Sequence, residues 1–265
     1  MIAIVAAPTD RDALDRLSRL HGAGELTAAI LALLATPADA AVASAWAAQT
    51  ADVATAAAIR DDIVGLPAAL RLPVFDLLLA RMHRLPKAER RTLLQATRRV
   101  MAAHTPLRPI DRLHWLLMRR RLGDRPPASA MPGSQNDLAR LAPHTLVQIA
   151  RVSAYLSRMV PDGERTTGHR WYARVMAPLM PADAMPPCDP PDGDGFAHAL
   201  DEVEALPWML RPVLVRAWVD AALATGQRAR LPPVAADALR LAAGLLDSPL
   251  PPELERHYIE LDWAS

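Results

Sequence analysis

Between Leu66 and Gly123 the chain reads LPAALRLPVFDLLLARMHRLPKAERRTLLQATRRVMAAHTPLRPIDRLHWLLMRRRLG, and its proline-delimited runs constrain the fold more than any other feature. Proline fits the first turn of a helix but breaks a helix interior or a central strand, so each Leu-Pro step reads as a helix start. Between the steps, apolar residues recur at three- and four-residue spacing and do not alternate. Val74, Leu77, Leu78 and Met82 share one face of a helix that Pro73 either starts or kinks. Leu85-Pro86 starts another, with Leu93, Leu94, Val100 and Met101 toward the core and Arg90, Arg91, Arg98 and Arg99 toward solvent. The turn from Pro106 to Pro109 leads into Ile110 to Leu122, with Leu113, Leu116 and Leu117 inward and Gly123 closing it.

Composition points the same way. Only two Phe and three Tyr stand among abundant Ala and Leu, and β-branched residues are few, which favours helix over strand. At 265 residues and 51% hydrophobic, the chain can bury one large core or two modest ones without disulfides or metals. The expected class is all-α.

The remaining segments follow the same grammar. Thr9 with Asp12 marks a helix N-terminus, followed by leucines at 14, 17 and 20. Gly22 and Gly24 separate that helix from Glu25 to Ala35, which is apolar nearly all round and so expected to be buried. Thr36-Pro37-Ala38-Asp39 opens a further helix through residue 60, with Trp46, Val53 and Ile59 inward. Residues 124 to 135, DRPPASAMPGSQ, read as a Pro-rich surface linker and the best domain boundary. Ser134 with Asp137 then caps a helix that reaches Met159 if Pro143 kinks or restarts it, and Pro161-Asp162-Gly163 breaks it. A short helix around His169 to Ala177 precedes PLMPADAMPPCDPPDGDG, the least ordered stretch on composition. Phe196 to Ala224, interrupted at Pro207, and Val234 to Leu246 complete the core, and PPELERHYIELDWAS is expected to add a short terminal helix.

An internal repeat is visible. Leu85-Pro86, Arg90 and Leu93 match Leu206-Pro207, Arg211 and Leu214 as L-P-x-x-x-R-x-x-L; Ala96 and Ala103 then fall opposite Ala217 and Ala224. Leu66-Pro67, Arg71 and Val74 nearly repeat it again.

Several chemistries are excluded. None of the eight histidines is followed by Glu, and no two lie at i, i+4, so the H-E-x-x-H zinc-protease helix is missing. His104 and His114 are the most suggestive singly, and each reads better as a hydrogen-bonded or surface residue than as a catalyst. No Gly-x-Ser-x-Gly elbow and no phosphate loop occur. Asp189-Pro-Pro-Asp192-Gly-Asp194-Gly195 departs from the calcium-loop spacing and lacks its terminal Glu, so a linker is the better reading. Cys188 is the single cysteine; it excludes an internal disulfide or Cys-based zinc site, reads as incidental, and fits a reducing, cytoplasmic compartment. The longest apolar runs are about half of the roughly 20 residues that a membrane span needs, and MIAIVAAPTDRD has no basic region of a secretory signal. The chain is therefore expected not to insert into a membrane itself.

Thirty basic and 29 acidic side chains leave a net charge of +1, so the molecule as a whole has no field steering it to nucleic acid or an anionic surface, and nucleic acid is not an expected partner. Any such binding must come from a local patch. The candidate is Arg119, Arg120, Arg121 and Arg125, with Arg98 and Arg99 near it if the helices pack as a hairpin; the plainer reading is a solvated helix end whose cations complement the C-terminal dipole.

The stretch from Leu66 to Gly123 resembles the cytoplasmic C-terminal region of HtpX-like, CAAX-prenyl-protease-type bacterial membrane zinc metallopeptidases, where TerB-like helical repeats follow the membrane-embedded catalytic part. FAHALDEVEALPWMLRPVLVRAWVDAALATGQRARLPPVAADALRLAAGLLDSPLPPEL looks like a second such repeat, and LTAAILALLATPADAAVASAW is similar to the segment preceding the first. The resemblance implies an all-α bundle of two TerB-like halves joined by the Pro-rich linker. Its parts are an N-terminal layer (1–65), a first repeat (66–123), the linker (124–135) and a second half (136–265) with a degenerate repeat at 196–254. TerB-like repeats carry an A-D-G turn and an acid on the next helix, thought able to bind metal. Here the turns are Ala103-His104-Thr105 and Ala224-Thr225-Gly226, with Asp111 and Asp237 near the helix acid positions, so no metal, cofactor or catalytic residue is expected. The implied function is a non-catalytic interaction or regulatory module for a protein partner, a membrane metallopeptidase system, in the cytoplasm or at the inner membrane face through that partner. The alternative is the soluble portion of a zinc endopeptidase whose catalytic segment lies outside this chain; a third reading, ranked below both, is nucleic-acid binding through the Arg119 to Arg125 run.

Overall fold

The computed structural model describes residues 8–35, 39–123, 137–226 and 231–261. Every regular element among them is helical: thirteen α-helices and one 3-10 turn. The chain forms two compact units, residues 1–125 with 258–265, and residues 126–257. No helix among the described residues is long and apolar enough to cross a membrane.

The first unit is built on α2 (Ala23–Leu34), which packs on α3 (Ala40–Gln49), α4 (Ala56–Gly65), α5 (Ala68–His83) and α6 (Lys87–Ala102). Its apolar circumference is buried as its composition predicts: Leu26, Ala28, Ala29, Ile30, Leu31, Ala32 and Leu34 are all inside. Each leucine or isoleucine buried there contributes about 1.5–3 kcal/mol. α1 (Pro8–Ser18) lies on α4, tied by Arg16 to Asp62 at 2.6 Å, and α7 (Pro109–Leu122) packs on α5 and α6.

The helix expected from Asp39 to residue 60 is two helices. Asp39 does cap α3, accepting from the backbone of Ala41 and Val42, while Thr36 to Ala38 lie outside the described residues. The break falls at Thr50 to Thr55. Thr50 Oγ1 donates back to the Trp46 carbonyl, Val53 packs against Gly24, and Thr55 Oγ1 donates to Glu25 at the start of α2. This local bond and the two long-range contacts outweigh the helix propensity of an Ala-rich run. Trp46 and Ile59 are buried, whereas Val53 is half-buried.

Pro73 lies inside α5, and Pro86 immediately precedes α6 as its N-cap. On α6, Leu93, Val100 and Met101 are buried; Leu94 is only half-buried, and Arg90, expected outside, is half-buried and bonded.

The second unit starts with a 3-10 turn, Leu138–Arg140, capped by Asp137; the expected cap Ser134 and the linker 124–135 lie outside the described residues. Pro143 restarts the chain as α8 (Pro143–Leu156), followed by α9 (Arg165–Met176), α10 (Gly193–Glu204), α11 (Leu210–Thr225), α12 (Pro233–Leu245) and the short α13 (Pro252–Glu255). Gly163 adopts φ +81° in the turn before α9, a conformation that favours glycine. α8 packs on α9 and α10, and α11 on α9 and α12. A relay of indoles crosses this core: Trp171 Nε1 donates to the Trp218 carbonyl and Trp218 Nε1 to Ser153 Oγ, both at 3.0 Å. Tyr155 stacks on Phe196 at 3.9 Å. α9 lies so close to the end of α8 that a Cβ on Gly168 would collide with the Ser157 carbonyl oxygen.

Candidate functional site

The two L-P-x-x-x-R-x-x-L segments do the same structural job. Arg90 sits one turn into α6 and its Nη1 donates to the Leu122 carbonyl at 3.2 Å, at the C-terminus of α7. Arg211 sits at the start of α11; its Nε donates to Leu206 and its Nη1 to Leu246, at 3.0 and 3.2 Å, the latter at the C-terminus of α12. In each unit a 16-residue helix thus ties down the carbonyl end of the helix that follows it, where backbone acceptors lack partners and cations are favoured.

The most concentrated buried polar chemistry lies where α6 turns into α7. Asp111 is 1% exposed, at the third position of α7, and its Oδ2 accepts from the backbone N–H of Arg108, half of a capping box. Arg108 adds its guanidinium, Nη2 to Oδ1 at 2.6 Å and Nε to Oδ2 at 3.1 Å, and reaches the Leu34 carbonyl. His104, also buried, places Nδ1 3.0 Å from Asp111 Oδ2 without the alignment of a directed hydrogen bond. One turn on, half-buried His114 donates from Nδ1 to the Ile110 carbonyl at 3.1 Å and meets Phe75 edge-on at 5.3 Å. Desolvation in this apolar setting pushes its pKa down to about 4, so the imidazole is neutral at pH 7. Asp111 therefore caps a helix and binds an arginine. His104 is drawn into the same knot, a role that neither its spacing nor its neighbours in sequence signal.

Of the arginines singled out in the sequence, Arg119, Arg120 and Arg121 form the last turn of α7, with Arg119 and Arg121 exposed and Arg120 half-buried; Arg125 lies outside the described residues. His83 Nδ1 donates to the Arg121 carbonyl at 2.7 Å. The Arg98 guanidinium sits over the Trp115 ring at 5.2 Å, one helical turn before Arg119 on α7, and Arg99 donates to Gln49.

In the second unit, Asp192 of the acidic loop caps α10, accepting from Gly195 N at 2.7 Å, so this stretch opens a helix where composition suggested a linker. Cys188 is half-buried, 3.4 Å from Ser157 Oγ, and burial pushes its thiol pKa up, away from thiolate chemistry. No group of three or more His, Cys, Asp or Glu side chains among the described residues is placed to hold a metal ion. Among the described residues the most exposed large apolar side chain is one that sequence periodicity did not mark: Trp208 is 71% exposed, with Met209 at 48% and Val213 at 47% close by in the sequence around the start of α11. The sequence signal was present in PWMLRPV, where the apolar residues exceed what one buried face of a helix can absorb. No protein-family profile, curated protein or solved structure matches the chain.

Proposed function

We propose that this chain is a non-catalytic helical interaction module acting in the cytoplasm, or at the inner membrane face through its partner, on a membrane metallopeptidase system. The observation that carries the interaction reading is the apolar turn Trp208, Met209 and Val213, since large exposed apolar side chains gathered on one surface mark sites that bury against another protein, tryptophan above all. The peptidase association rests on the resemblance of Leu66 to Gly123 and of the segment from Phe196 to that family's C-terminal region. A photo-crosslinking residue placed at Trp208 in the full chain, in its native cell, tests both. The reading expects a cross-link to a membrane-embedded metallopeptidase, suppressed by Met209→Asp. Cross-linking to no protein contradicts the module. Cross-linking to a partner that is not a peptidase contradicts the association alone.

A further inference from the structure

The net charge of +1 conceals a segregation of charge. Leu85 to Leu122, which folds as the α6–α7 hairpin, carries ten basic and two acidic side chains, while the rest of the chain carries 20 and 27. One of the two acids, Asp111, is buried and paired with Arg108, so the two cancel and nine cations stand against the one remaining acid, Glu89. Residues 8–65 carry four basic and eight acidic side chains, and some of these pair among themselves, Arg16 with Asp62 and Arg19 with Asp15.

Helical geometry gathers part of this charge into a stripe. At 100° per residue, Lys87, Arg91 and Arg98 fall within about 40° of one another on α6, and Arg112, Trp115 and Arg119 within about 60° on α7. The contact of Arg98 with Trp115 joins the two rows. Lys87, Arg91 and Arg112 also engage other groups of the fold, so the weight falls on Arg98, Trp115 and Arg119. From Lys87 to Arg98 the row rises about 16 Å, which an extended single strand crosses in about three phosphates.

We infer that this face of the α6–α7 hairpin binds single-stranded nucleic acid. Every cation of the stripe but one is arginine, whose planar fork matches phosphate oxygens bidentately. The half-buried Trp115, with Arg98 over its ring, supplies the aromatic and cation–π platform on which a base of any identity stacks. In the first unit the large apolar side chains exposed among the described residues are Val64, on α4, and Leu107, in the turn; neither lies on the stripe, so it offers no aliphatic anchor for the acyl boundary of a bilayer. This inference goes beyond the interaction module and does not rest on it.

The test is fluorescence anisotropy of a labelled oligo-dT 20-mer with the full chain between 50 and 200 mM salt. A strand contacted at three to five phosphates gives log K falling with log salt at a slope of about −2 to −3.5. Arg98→Gln with Arg119→Gln is expected to weaken binding about 60-fold at 50 mM and to flatten the slope by about 1.4. Trp115→Phe, which keeps an aromatic platform, is expected to retain more affinity than Trp115→Leu. Arg170→Gln with Arg174→Gln, exposed on α9, is the control and is expected to change nothing. Circular dichroism and thermal melts confirm that each variant compared is folded. No binding at 50 mM salt, equal loss in the control, or equal competition by poly-glutamate or by phosphatidylserine vesicles overturns the inference.

Discussion

The α6–α7 and α11–α12 hairpins share a frame and differ in coat. Both begin at a Leu-Pro step, both run 16 residues up the first helix, and both use one arginine to hold the carbonyl end of the second. The buried positions also correspond: Leu93, Thr97, Val100 and Met101 on α6 match Leu214, Trp218, Ala221 and Ala222 on α11. Outside that frame they diverge. Residues 85–122 carry ten basic and two acidic side chains, whereas 206–246 carry five and two and display Trp208, Met209 and Val213. The frame answers to packing and helix ends, which tolerate few alternatives; the coat is free to serve different partners.

The turns also differ, and breaking one of them ranks among the largest expected effects. Asp111 is the third residue of α7 and caps it, whereas Asp237 comes two positions later in α12, past the reach of a cap. Asp111→Ala removes the cap and the acceptor for Arg108 and is expected to destabilise the first unit by about 2–4 kcal/mol in chemical denaturation. Asp111→Asn, which keeps the acceptor for the Arg108 N–H, is expected to cost less.

The two arginines sharpen the comparison. Arg211 is buried and makes two bonds, so Arg211→Ala is expected to cost about 2–4 kcal/mol; half-buried Arg90 makes one of them, and Arg90→Ala about 1 kcal/mol. Equal losses in urea titrations would show that the second bond of Arg211 adds nothing.

Much of this frame was legible in the sequence. Proline steps and apolar spacing placed α6 and α7 within a residue or two and left only the start of α5 open at Pro73, because those signals act locally, and the L-P-x-x-x-R-x-x-L match picked out the two arginines. The break at Thr50 was not legible, since it depends on Val53 meeting Gly24 and on Thr55 reaching Glu25, about 30 residues away. The knot at Asp111 was half visible: the acid was marked as a helix acid, but its burial and its arginine are tertiary facts. The segregation of charge was open to counting and was masked by a near-zero total.

The two hairpins also part over pH. His114 titrates near 4 folded against about 6.5 unfolded, so the unfolded chain binds the extra proton between those values and stability falls as pH drops from about 6.5 to 4. The loss attributable to this group is up to about 3 kcal/mol, and His114→Phe is expected to flatten that part of the profile, measured as unfolding free energy at pH 7.5 and at pH 4. The smallest expected effect on the frame is at the end of α7. Replacing Arg119, Arg120 and Arg121 by Gln removes dipole interactions worth about 0.3–1 kcal/mol each and should leave the melting curve close to that of the parent.

Both coats are proposed to hold another molecule, and whether this chain binds and does not cleave is open to direct measurement. Proteolysis by the zinc mechanism of the family it resembles needs paired helical His ligands, a further ligand and a Glu that takes the proton of the metal-bound water. Zinc content of the purified full chain, measured together with casein digestion, is the decisive measurement. No stoichiometric zinc and no cleavage are expected; one zinc per chain with chelator-sensitive cleavage would refute a non-catalytic module.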